Sequence, residues 1–194
     1  MTIFLLALAG FLLGSIPVGK IIAGAMGIDL QKTGSGNIGA TNVFRSAGKM
    51  PALFTLIGDM AKGSAAVLLA RYFEVGAWYE GMIGLIAVLG HNYSLFLRFN
   101  GGKGVATSLG VLIVYAPLTG LVTIVIWLLT VLVARISSLG AVISFSVLPL
   151  CMYLLDAKEK LPISFVMSII VLMRHKDNIL RLFRGTEPKV GGKA

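Results

Sequence analysis

The sequence has little of what most enzyme mechanisms use. Cys151 is the only cysteine, so an intramolecular disulfide is excluded and the redox compartment stays undetermined. There are two histidines, and neither His91 nor His175 has an acidic residue five positions later, which excludes a His-x4-Asp pair. A G-x-S-x-G nucleophile elbow is absent too. The sequence therefore predicts chemistry without a serine or cysteine nucleophile.

Metal-ligand patterns and charge are also scarce. No His, Cys and carboxylate cluster has the spacing of a metal site, and the acid-rich pattern that would hold magnesium for headgroup transfer is missing. We therefore expect no metal ion and no cofactor. Charged residues make up 13% of the chain and hydrophobic residues 57%, so the length of the apolar segments decides between a soluble domain and a membrane protein.

Seven apolar stretches follow one another along the chain. They are 3–26, 51–69, 81–97, 105–116, 117–134, 139–155 and 162–173. Several approach the roughly 20 residues that a helix needs to cross the hydrocarbon, although the fourth and seventh are short unless polar flanks extend them. The first has no basic residue ahead of it and continues past Lys20, which favours a retained helix over a cleaved signal peptide.

The pattern predicts an all-α integral membrane protein with about seven transmembrane helices. We expect one domain over residues 1–194, with a mobile tail from about residue 189. With the N-terminus outside, basic residues divide unevenly between the two sides. Three are outside: Arg71, Lys158 and Lys160. Twelve are inside: Lys32, Arg45, Lys49, Arg98, Lys103, Arg135, Arg174, Lys176, Arg181, Arg184, Lys189 and Lys193.

We expect the chain in the cell (plasma or inner) membrane, and this charge bias predicts a cytoplasmic C-terminus. Because short loops beside membrane spans account for most of the net charge of +9, we expect no nucleic-acid binding. The same arithmetic places the unusual polar segments 33–45, 91–107 and 174–188 on the cytoplasmic side. One composite site facing the cytoplasm becomes possible.

The first polar segment, residues 33–45, reads TGSGNIGATNVFR. Its glycine N–H groups, hydroxyls and amides would be costly in an apolar setting unless they held something polar, which indicates a phosphate-binding loop. Thr41 or Asn42 could cap the short helix that carries Arg45 and direct its positive end at an anion. A flexible turn is the alternative.

The glycines of this segment also fit a dinucleotide fingerprint. Gly34, Gly36 and Gly39 match G-x-G-x-x-G, and Asp59 lies twenty residues further on. That fingerprint needs a strand before it and a βαβ unit around it, whereas membrane-length helices flank this one. The context therefore argues against nucleotide binding.

The second polar segment, HNYSLFLRFNGGKGVAT, contains half of a Walker loop. Position 97 is leucine rather than glycine, and Lys103 is followed by glycine rather than Ser or Thr, so nucleotide hydrolysis is not expected. A lysine between glycines at a helix start still suits a phosphate, although topology loops use the same residues. For His91, at the end of the preceding helix, packing is favoured over a ligand role.

The third polar segment, RHKDNILRLFRGTE, places His175 and Asn178 on one helical face. An interfacial amphipathic helix would explain its basic residues, but the His-Asn pair favours a substrate contact. Within the apolar helices, Asp59 and Lys62 are spaced to pair with each other or to face a polar cavity.

Together, SGNIGATN with Arg45, GHNYSLFLRFNGGKGVAT and RHKDNILRLFRGTE closely resemble the bacterial membrane acyl-phosphate:glycerol-3-phosphate acyltransferase family. The likeness covers the whole chain in length, segment order and spacing. It implies acyl transfer from a fatty acyl phosphate to the 1-hydroxyl of sn-glycerol 3-phosphate. The products would be lysophosphatidic acid and inorganic phosphate, in the first step of phospholipid synthesis, without direct use of acyl-CoA or acyl-carrier protein.

The resemblance also implies the site. The catalytic candidates are Ser35, Arg45, Lys103, His175 and Asn178. The substrate-binding candidates add Gly36, Asn37, Gly39, Thr41, Asn42, Gly102 and Gly104. Lys62, His91, Asn92 and Glu187 are expected to surround the site rather than to contact substrate. The loop from Ser35 to Thr41 would hold the donor's phosphate, and Arg45, Lys103, His175 and Asn178 would hold glycerol 3-phosphate.

Two questions stay open at the level of sequence. The general base is either His175 or the donor phosphate, with the phosphate favoured because no acid in sequence supports the histidine. The alternative function is transport of a phosphorylated small anion. A soluble enzyme that makes acyl phosphate is a possible partner, since the basic cytoplasmic face would suit an acidic surface.

Overall fold

The computed structural model describes residues 1–191, and this range contains ten α-helices and no β-strand. The helices are α1 (Thr2–Ser15), α2 (Val18–Ala25), α3 (Ala40–Ala47), α4 (Lys49–Tyr72), α5 (Ala77–Asn92), α6 (Val105–Tyr115), α7 (Pro117–Ala134), α8 (Ser137–Leu155), α9 (Leu161–Arg174) and α10 (Lys176–Phe183). Two single 3-10 turns, Leu95–Leu97 and Lys158–Lys160, complete the regular structure. The predicted all-α class is confirmed.

Four segments are long and apolar enough to cross a membrane. They are Thr2–Ala25, Lys49–Tyr72, Pro117–Ala134 and Ser137–Leu155. The other apolar helices, α5, α6 and α9, have 16, 11 and 14 residues, which is short of a full span. Length therefore supports four spans, and the seven-span topology stays a prediction.

Proline and glycine set several helix boundaries. Pro17 precedes α2 and divides the first apolar stretch into α1 and α2, because its ring removes a donor from the helical ladder. Pro117 occupies the first turn of α7, where a missing N–H costs nothing. Gly104 precedes α6 at φ +84°, a conformation that residues with a Cβ rarely adopt.

Small residues allow two helix pairs to approach closely. A Cβ on Gly14 would overlap the backbone of α5, and one on Gly90 the backbone of α1. Gly63 of α4 and Gly110 of α6 lie equally tightly against each other's helix. Close backbone approach through small residues is how membrane helices associate without a hydrophobic driving force between them.

The largest apolar core joins α4, α5, α6, α8 and α9 around Tyr115, Phe145 and Met152, all fully or nearly fully buried. Outside this core, large apolar side chains face outward, such as Phe4 at 72% and Val133 at 86% exposure. Soluble proteins rarely expose apolar surface on this scale, so these faces suit lipid.

The last described residues are attached to the helices. Arg45 Nη2 donates to the carbonyls of Pro188 and Lys189 at 3.1 and 3.3 Å. The N–H of Val190 donates to the carbonyl of Arg135 at 2.6 Å. The tail predicted to be mobile from residue 189 thus begins with residues that contact the helices, and its last part, 192–194, lies outside the described residues.

Candidate active site

A cavity of about 660 Å³ opens at one end of the bundle, where α3, α4, α6 and α8 begin and α7 and α9 end. This end carries the loops that the charge bias assigns to the cytoplasmic side. Twelve predicted residues line it: Ser35, Asn37, Gly39, Thr41, Asn42, Arg45, His91, Lys103, Gly104, His175, Asn178 and Glu187. The structure thus brings all three polar segments to one cavity. Gly36, Lys62, Asn92 and Gly102 do not line it.

Asn42 holds the loop before α3 in shape. Its Nδ2 lies 2.8 to 3.2 Å from three main-chain carbonyls, those of Leu30, Thr33 and Asn37. Its Oδ1 accepts from the N–H of Ser35 at 2.9 Å. Because both ends of the amide are used within the loop, Asn42 organises this loop, and its predicted contact with substrate stays a prediction.

Main-chain N–H groups that the sequence predicts as phosphate ligands are also hydrogen-bonded within the loop. The N–H of Ser35 is taken by Asn42, that of Gly36 by the carbonyl of Thr33, and that of Gly39 by Asn37 Oδ1 at 2.8 Å. The main-chain donors of these three residues are therefore satisfied by the loop itself. Asx-type bonds of this kind stabilise the loop.

Helix α3 presents donors that the loop does not use. Its first N–H groups, of Ala40 and Thr41, make no hydrogen bond within residues 1–191, as expected for the first turn of a helix. The expected cap from Thr41 or Asn42 is wrong, because Gly39 occupies the cap position and no side chain bonds there. The Thr41 hydroxyl instead shares a hydrogen bond of 2.9 Å with the hydroxyl of Ser137.

Arg45 lies one turn further along α3. One edge of its guanidinium is occupied by the carbonyls of Pro188 and Lys189, and its Nε is buried with no partner among the described residues. A bidentate clamp on a substrate phosphate would therefore require part of this arrangement to change. Arg45 is the point where the cavity wall and the C-terminal segment meet.

Arg174 fixes the loop that carries Lys103. Its guanidinium donates to the carbonyl of Gly102 through Nε at 3.1 Å and through Nη2 at 2.9 Å, and it lies 5.3 Å from the centre of the Tyr93 ring. On the other side of the loop, the N–H of Gly102 donates to the carbonyl of His91 at 3.0 Å. The glycines are thus structural, and the side chain of Lys103 points into the cavity wall.

Lys103, Asn178 and Glu187 form a chain of hydrogen bonds. The Lys103 ammonium donates to Asn178 Oδ1, and Asn178 Nδ2 donates to Glu187 Oε1 at 2.5 Å. Glu187 also accepts from Ser138 Oγ at 2.6 Å and from Arg181 Nε at 2.7 Å. One carboxylate therefore ties α8, α10 and the C-terminal segment to the lysine.

The protonation of this chain follows from burial and neighbours. Burial lowers the pKa of the Lys103 ammonium to about 8, although the Glu187 carboxylate acts in the opposite direction. Burial would raise the pKa of Glu187, but hydrogen bonds from Ser138, Asn178 and Arg181 outweigh it and lower that pKa. At neutral pH the lysine is charged and the glutamate ionised.

His175 sits between α9 and α10 and is 3% exposed. Its Nδ1 lies 2.8 Å from the carbonyl of Val171, which can only accept, so Nδ1 carries the proton and Nε2 has a free lone pair. Burial lowers the pKa of His175 to about 4, and the charge of Lys103 acts in the same direction. The ring is a neutral hydrogen-bond acceptor at the cavity wall.

Asp59 and Lys62 pair as the spacing predicts, with Nζ and Oδ1 2.8 Å apart. His91 joins them, with Nδ1 2.8 Å from Lys62 Nζ, and is 4% exposed. Asn92 is fully buried beside Gly104, and its side chain makes no hydrogen bond within residues 1–191.

Sequence reasoning missed four residues that build the site: Ser137, Ser138, Arg174 and Arg181. The two serines follow Arg135 in the short loop 135–138, and paired hydroxyls at a helix start on the cytoplasmic side were an available signal. The two arginines lie in the third polar segment, where basic residues were equally explained by lipid headgroups.

Part of the cavity lining is apolar. It includes Leu53 and Leu56 of α4, Val105 of α6, and Trp127 and Val131 of α7. A hydrocarbon chain suits such side chains. Residues 1–191 contain no group of three or more His, Cys, Asp or Glu side chains placed to hold a metal ion.

Known proteins are similar to this chain in sequence and in fold. A family model described as glycerol-3-phosphate acyltransferase matches residues 4–185. The glycerol-3-phosphate acyltransferase of Rubrobacter xylanophilus is 45% identical over 195 residues, covering 98% of this chain and 96% of that protein. The corresponding protein of Mesorhizobium japonicum is 48% identical over 187 residues, covering 95% and 94%.

Two crystal structures of PlsY, an integral membrane glycerol 3-phosphate acyltransferase, have the same architecture. The glycerol 3-phosphate form superimposes with a TM-score of 0.91 at 36% identity, covering 97% of this chain and 96% of that one. The lysophosphatidic acid form gives 0.89 at 35% identity, covering 97% and 95%. The chain belongs to the glycerol-3-phosphate acyltransferase family.

Proposed function

We propose that the protein transfers a fatty acyl group from acyl phosphate to the 1-hydroxyl of sn-glycerol 3-phosphate, releasing lysophosphatidic acid and inorganic phosphate. Family membership supports the acylation of glycerol 3-phosphate. The observation that carries the proposal is a cavity whose lining combines cationic and amide side chains with apolar ones. A substrate with a phosphate and a hydrocarbon chain matches both kinds of side chain.

The acyl group of the donor substrate is already activated for transfer. An acyl phosphate is a mixed anhydride, so the glycerol hydroxyl oxygen can attack the acyl carbon directly. The carbon–oxygen bond to phosphate breaks, phosphate leaves with the electron pair, and the hydroxyl proton passes to a base. The protein then has to align the two substrates and stabilise the developing charge, which needs no covalent enzyme intermediate.

The two phosphates bind to two different groups of residues. The donor phosphate is placed at the start of α3, where the N–H groups of Ala40 and Thr41 and the side chains of Ser35 and Asn37 are available. Glycerol 3-phosphate is placed against Lys103, Arg45 and Asn178, because charge-assisted bonds are worth about 1.5 to 3 kcal/mol each and several are needed to offset dehydration of a dianion.

The proton acceptor is the donor phosphate rather than His175. A good base at neutral pH has a pKa near the operating pH. The donor phosphate gains negative charge as its bond to the acyl carbon breaks, so its basicity rises during the transfer, and it meets this condition better than a buried imidazole. Burial holds the pKa of His175 at about 4. Its free Nε2 lone pair can accept a hydrogen bond from the hydroxyl and so orient it for attack.

The reaction takes place at the cytoplasmic face of the plasma (inner) membrane. The loops around the cavity carry Lys32, Lys49, Lys103 and Arg135, whereas the opposite end of the bundle has few basic residues. A soluble enzyme on that side would supply acyl phosphate, and the glycerol phosphate would enter from water. The acyl chain would enter sideways from lipid along the apolar side chains of the cavity.

Phosphate release by the purified protein tests the proposal. With acyl phosphate and glycerol 3-phosphate, we expect phosphate and lysophosphatidic acid to appear together, and acyl-CoA to give no product. Lys103→Met should lower the rate, whereas Lys32→Met, which removes a lysine that is 85% exposed, should not. No phosphate release from acyl phosphate would refute the proposal. Counterflow of labelled glycerol phosphate in liposomes without chemistry would indicate a transporter instead.

A further inference from the structure

Three titratable side chains are buried together behind the cavity, on α4 and α5. Asp59, Lys62 and His91 are 2%, 6% and 4% exposed. Lys62 Nζ lies 2.8 Å from each of three acceptors: Asp59 Oδ1, His91 Nδ1 and the carbonyl of Ile16, where α1 ends. The lysine therefore joins α1, α4 and α5 through one ammonium group.

These contacts fix the orientation of the His91 ring. A lysine ammonium has only donors, so the Nδ1 that it contacts must be an acceptor, and the neutral ring carries its proton on Nε2. The Nε2 side of the ring lies against Gly102, so closely that a Cβ at that position would overlap it. The ring therefore leaves room only for glycine at position 102.

The Gly101–Lys103 loop, which lies against this ring, is held from both sides. The N–H groups of Gly101 and Gly102 donate to the carbonyls of Asn92 and His91 at 3.2 and 3.0 Å. From the opposite side, Arg174 bonds the carbonyl of Gly102. Lys103 follows directly, so its position relative to Asn178 depends on where these glycines rest.

Buried charges in an apolar bundle are costly and persist where they serve a site. Asp59 and His91 also reach the cavity wall, while Lys62 does not. The arrangement links the break between α1 and α2 with the loop that bears the phosphate-binding lysine. Within residues 1–191, none of the three side chains makes a hydrogen bond with Lys103, Asn178 or Glu187.

We propose that Asp59, Lys62 and His91 are positioning residues, which hold the Gly101–Lys103 loop where Lys103 can meet both Asn178 and the phosphate of the acceptor substrate. The part of this inference that concerns substrate affinity rests on the proposed function. The part that concerns the loop does not, because it depends only on the contacts of His91 with Lys62 and Gly102.

Two sets of variants separate positioning from general stability. His91→Ala removes the ring that lies against Gly102. His91→Gln instead keeps a side-chain oxygen that can accept a hydrogen bond from Lys62. Asp59→Asn with Lys62→Met removes both charges together, so that neither is left buried alone. Thr123→Val is the matched control, since Thr123 is fully buried but bonds only within α7.

Hydrogen exchange of the loop amides and steady-state kinetics are the readouts. We expect His91→Ala and the double variant to speed exchange in residues 98–104 and to raise KM for glycerol 3-phosphate by about tenfold or more, with a smaller change in kcat. His91→Gln should lie between Ala and wild type, and Thr123→Val should match wild type.

Unchanged loop exchange in both His91→Ala and the double variant would overturn the proposal, and so would faster exchange spread evenly over the whole chain. If the wild-type protein forms no lysophosphatidic acid, the proposed function fails, but the exchange data still decide whether the network holds the loop. A fall in kcat with KM unchanged would also contradict positioning of a binding lysine.

Discussion

The ammonium of Lys103 donates a hydrogen bond to the side-chain oxygen of Asn178, a residue 75 positions later in the chain. The contact joins the glycine loop before α6 to the start of α10. It places a positive charge beside an amide whose other end is held by Glu187. In the proposed reaction, these hydrogen bonds hold the Lys103 charge in a fixed orientation for the phosphate of glycerol 3-phosphate.

Removal of the Asn178 side chain tests this arrangement. Asn178→Ala leaves Lys103 and Glu187 without their shared partner, and loss of one charge-assisted bond costs about 1.5 to 3 kcal/mol. We expect kcat/KM for glycerol 3-phosphate to fall by about ten- to a hundredfold. A variant of the neighbouring exposed residue, Lys176→Ala, should stay near wild type. Equal activity of the two variants would argue against Asn178 in the site.

Alkaline pH should weaken acceptor binding. Burial lowers the pKa of Lys103 to about 8, so the ammonium loses its proton as pH rises through that value. Glycerol 3-phosphate stays a dianion over this range, so its KM should increase above pH 8 by about tenfold per pH unit. Saturating substrate raises the lysine pKa, and kcat should change less. A KM that is constant up to pH 10 would exclude Lys103 as the titrating ligand.

His175→Gln distinguishes two roles for the ring. An orienting hydrogen bond is worth about 1 kcal/mol, so we expect kcat to fall by less than about tenfold. A general base would contribute about 10²–10⁴-fold. The pH–rate profile of the variant should keep the acid limb of the wild type, because the donor phosphate is the proposed acceptor. Loss of that limb together with a drop of three orders of magnitude would make His175 the base.

The Glu187 carboxylate should stabilise the fold only while it is ionised. Hydrogen bonds outweigh burial and lower its pKa, so its contribution is present above the unfolded pKa of about 4.3 and disappears as pH falls through the folded value. Glu187→Gln should therefore lower Tm at pH 7, by about 2 to 4 °C for each kcal/mol lost.

Thermal melts of both proteins at several pH values check this. The gap in Tm should be widest above pH 5 and should shrink in acid. Glu159→Gln offers a matched control, because Glu159 lies in the 3-10 turn Lys158–Lys160 at the other end of the bundle. A gap that does not change between pH 7 and pH 3 would contradict the role given to the Glu187 charge.

The sequence predicts the helical class because apolar stretches and proline positions are local signals. It also singles out the segments that meet at the cavity, since charged residues are rare within membrane helices. The sequence does not reveal contacts between side chains on opposite parts of the bundle. The hydroxyls of Thr41 and Ser137 meet over 96 residues, and the Arg45 guanidinium bonds a segment 143 residues away.

The glycine loop shows a different limit. A run such as TGSGNIGATN offers many donors, and the sequence does not reveal which of them the loop uses for itself. The side-chain oxygens of Asn42 and Asn37 accept hydrogen bonds from the N–H groups of Ser35 and Gly39. The N–H groups available to a ligand are then those at the start of α3. Local hydrogen-bond competition of this kind depends on backbone geometry, which residue spacing alone does not determine.

In the proposed reaction both phosphates occupy one cavity together, and the acyl group passes directly between the substrates. Exchange of labelled inorganic phosphate into acyl phosphate, measured with purified protein and no glycerol 3-phosphate, distinguishes this direct transfer from a route through an acyl-enzyme. Direct transfer predicts no exchange until the acceptor is added. Exchange at the rate of turnover without acceptor would reveal an acyl-enzyme and exclude direct transfer.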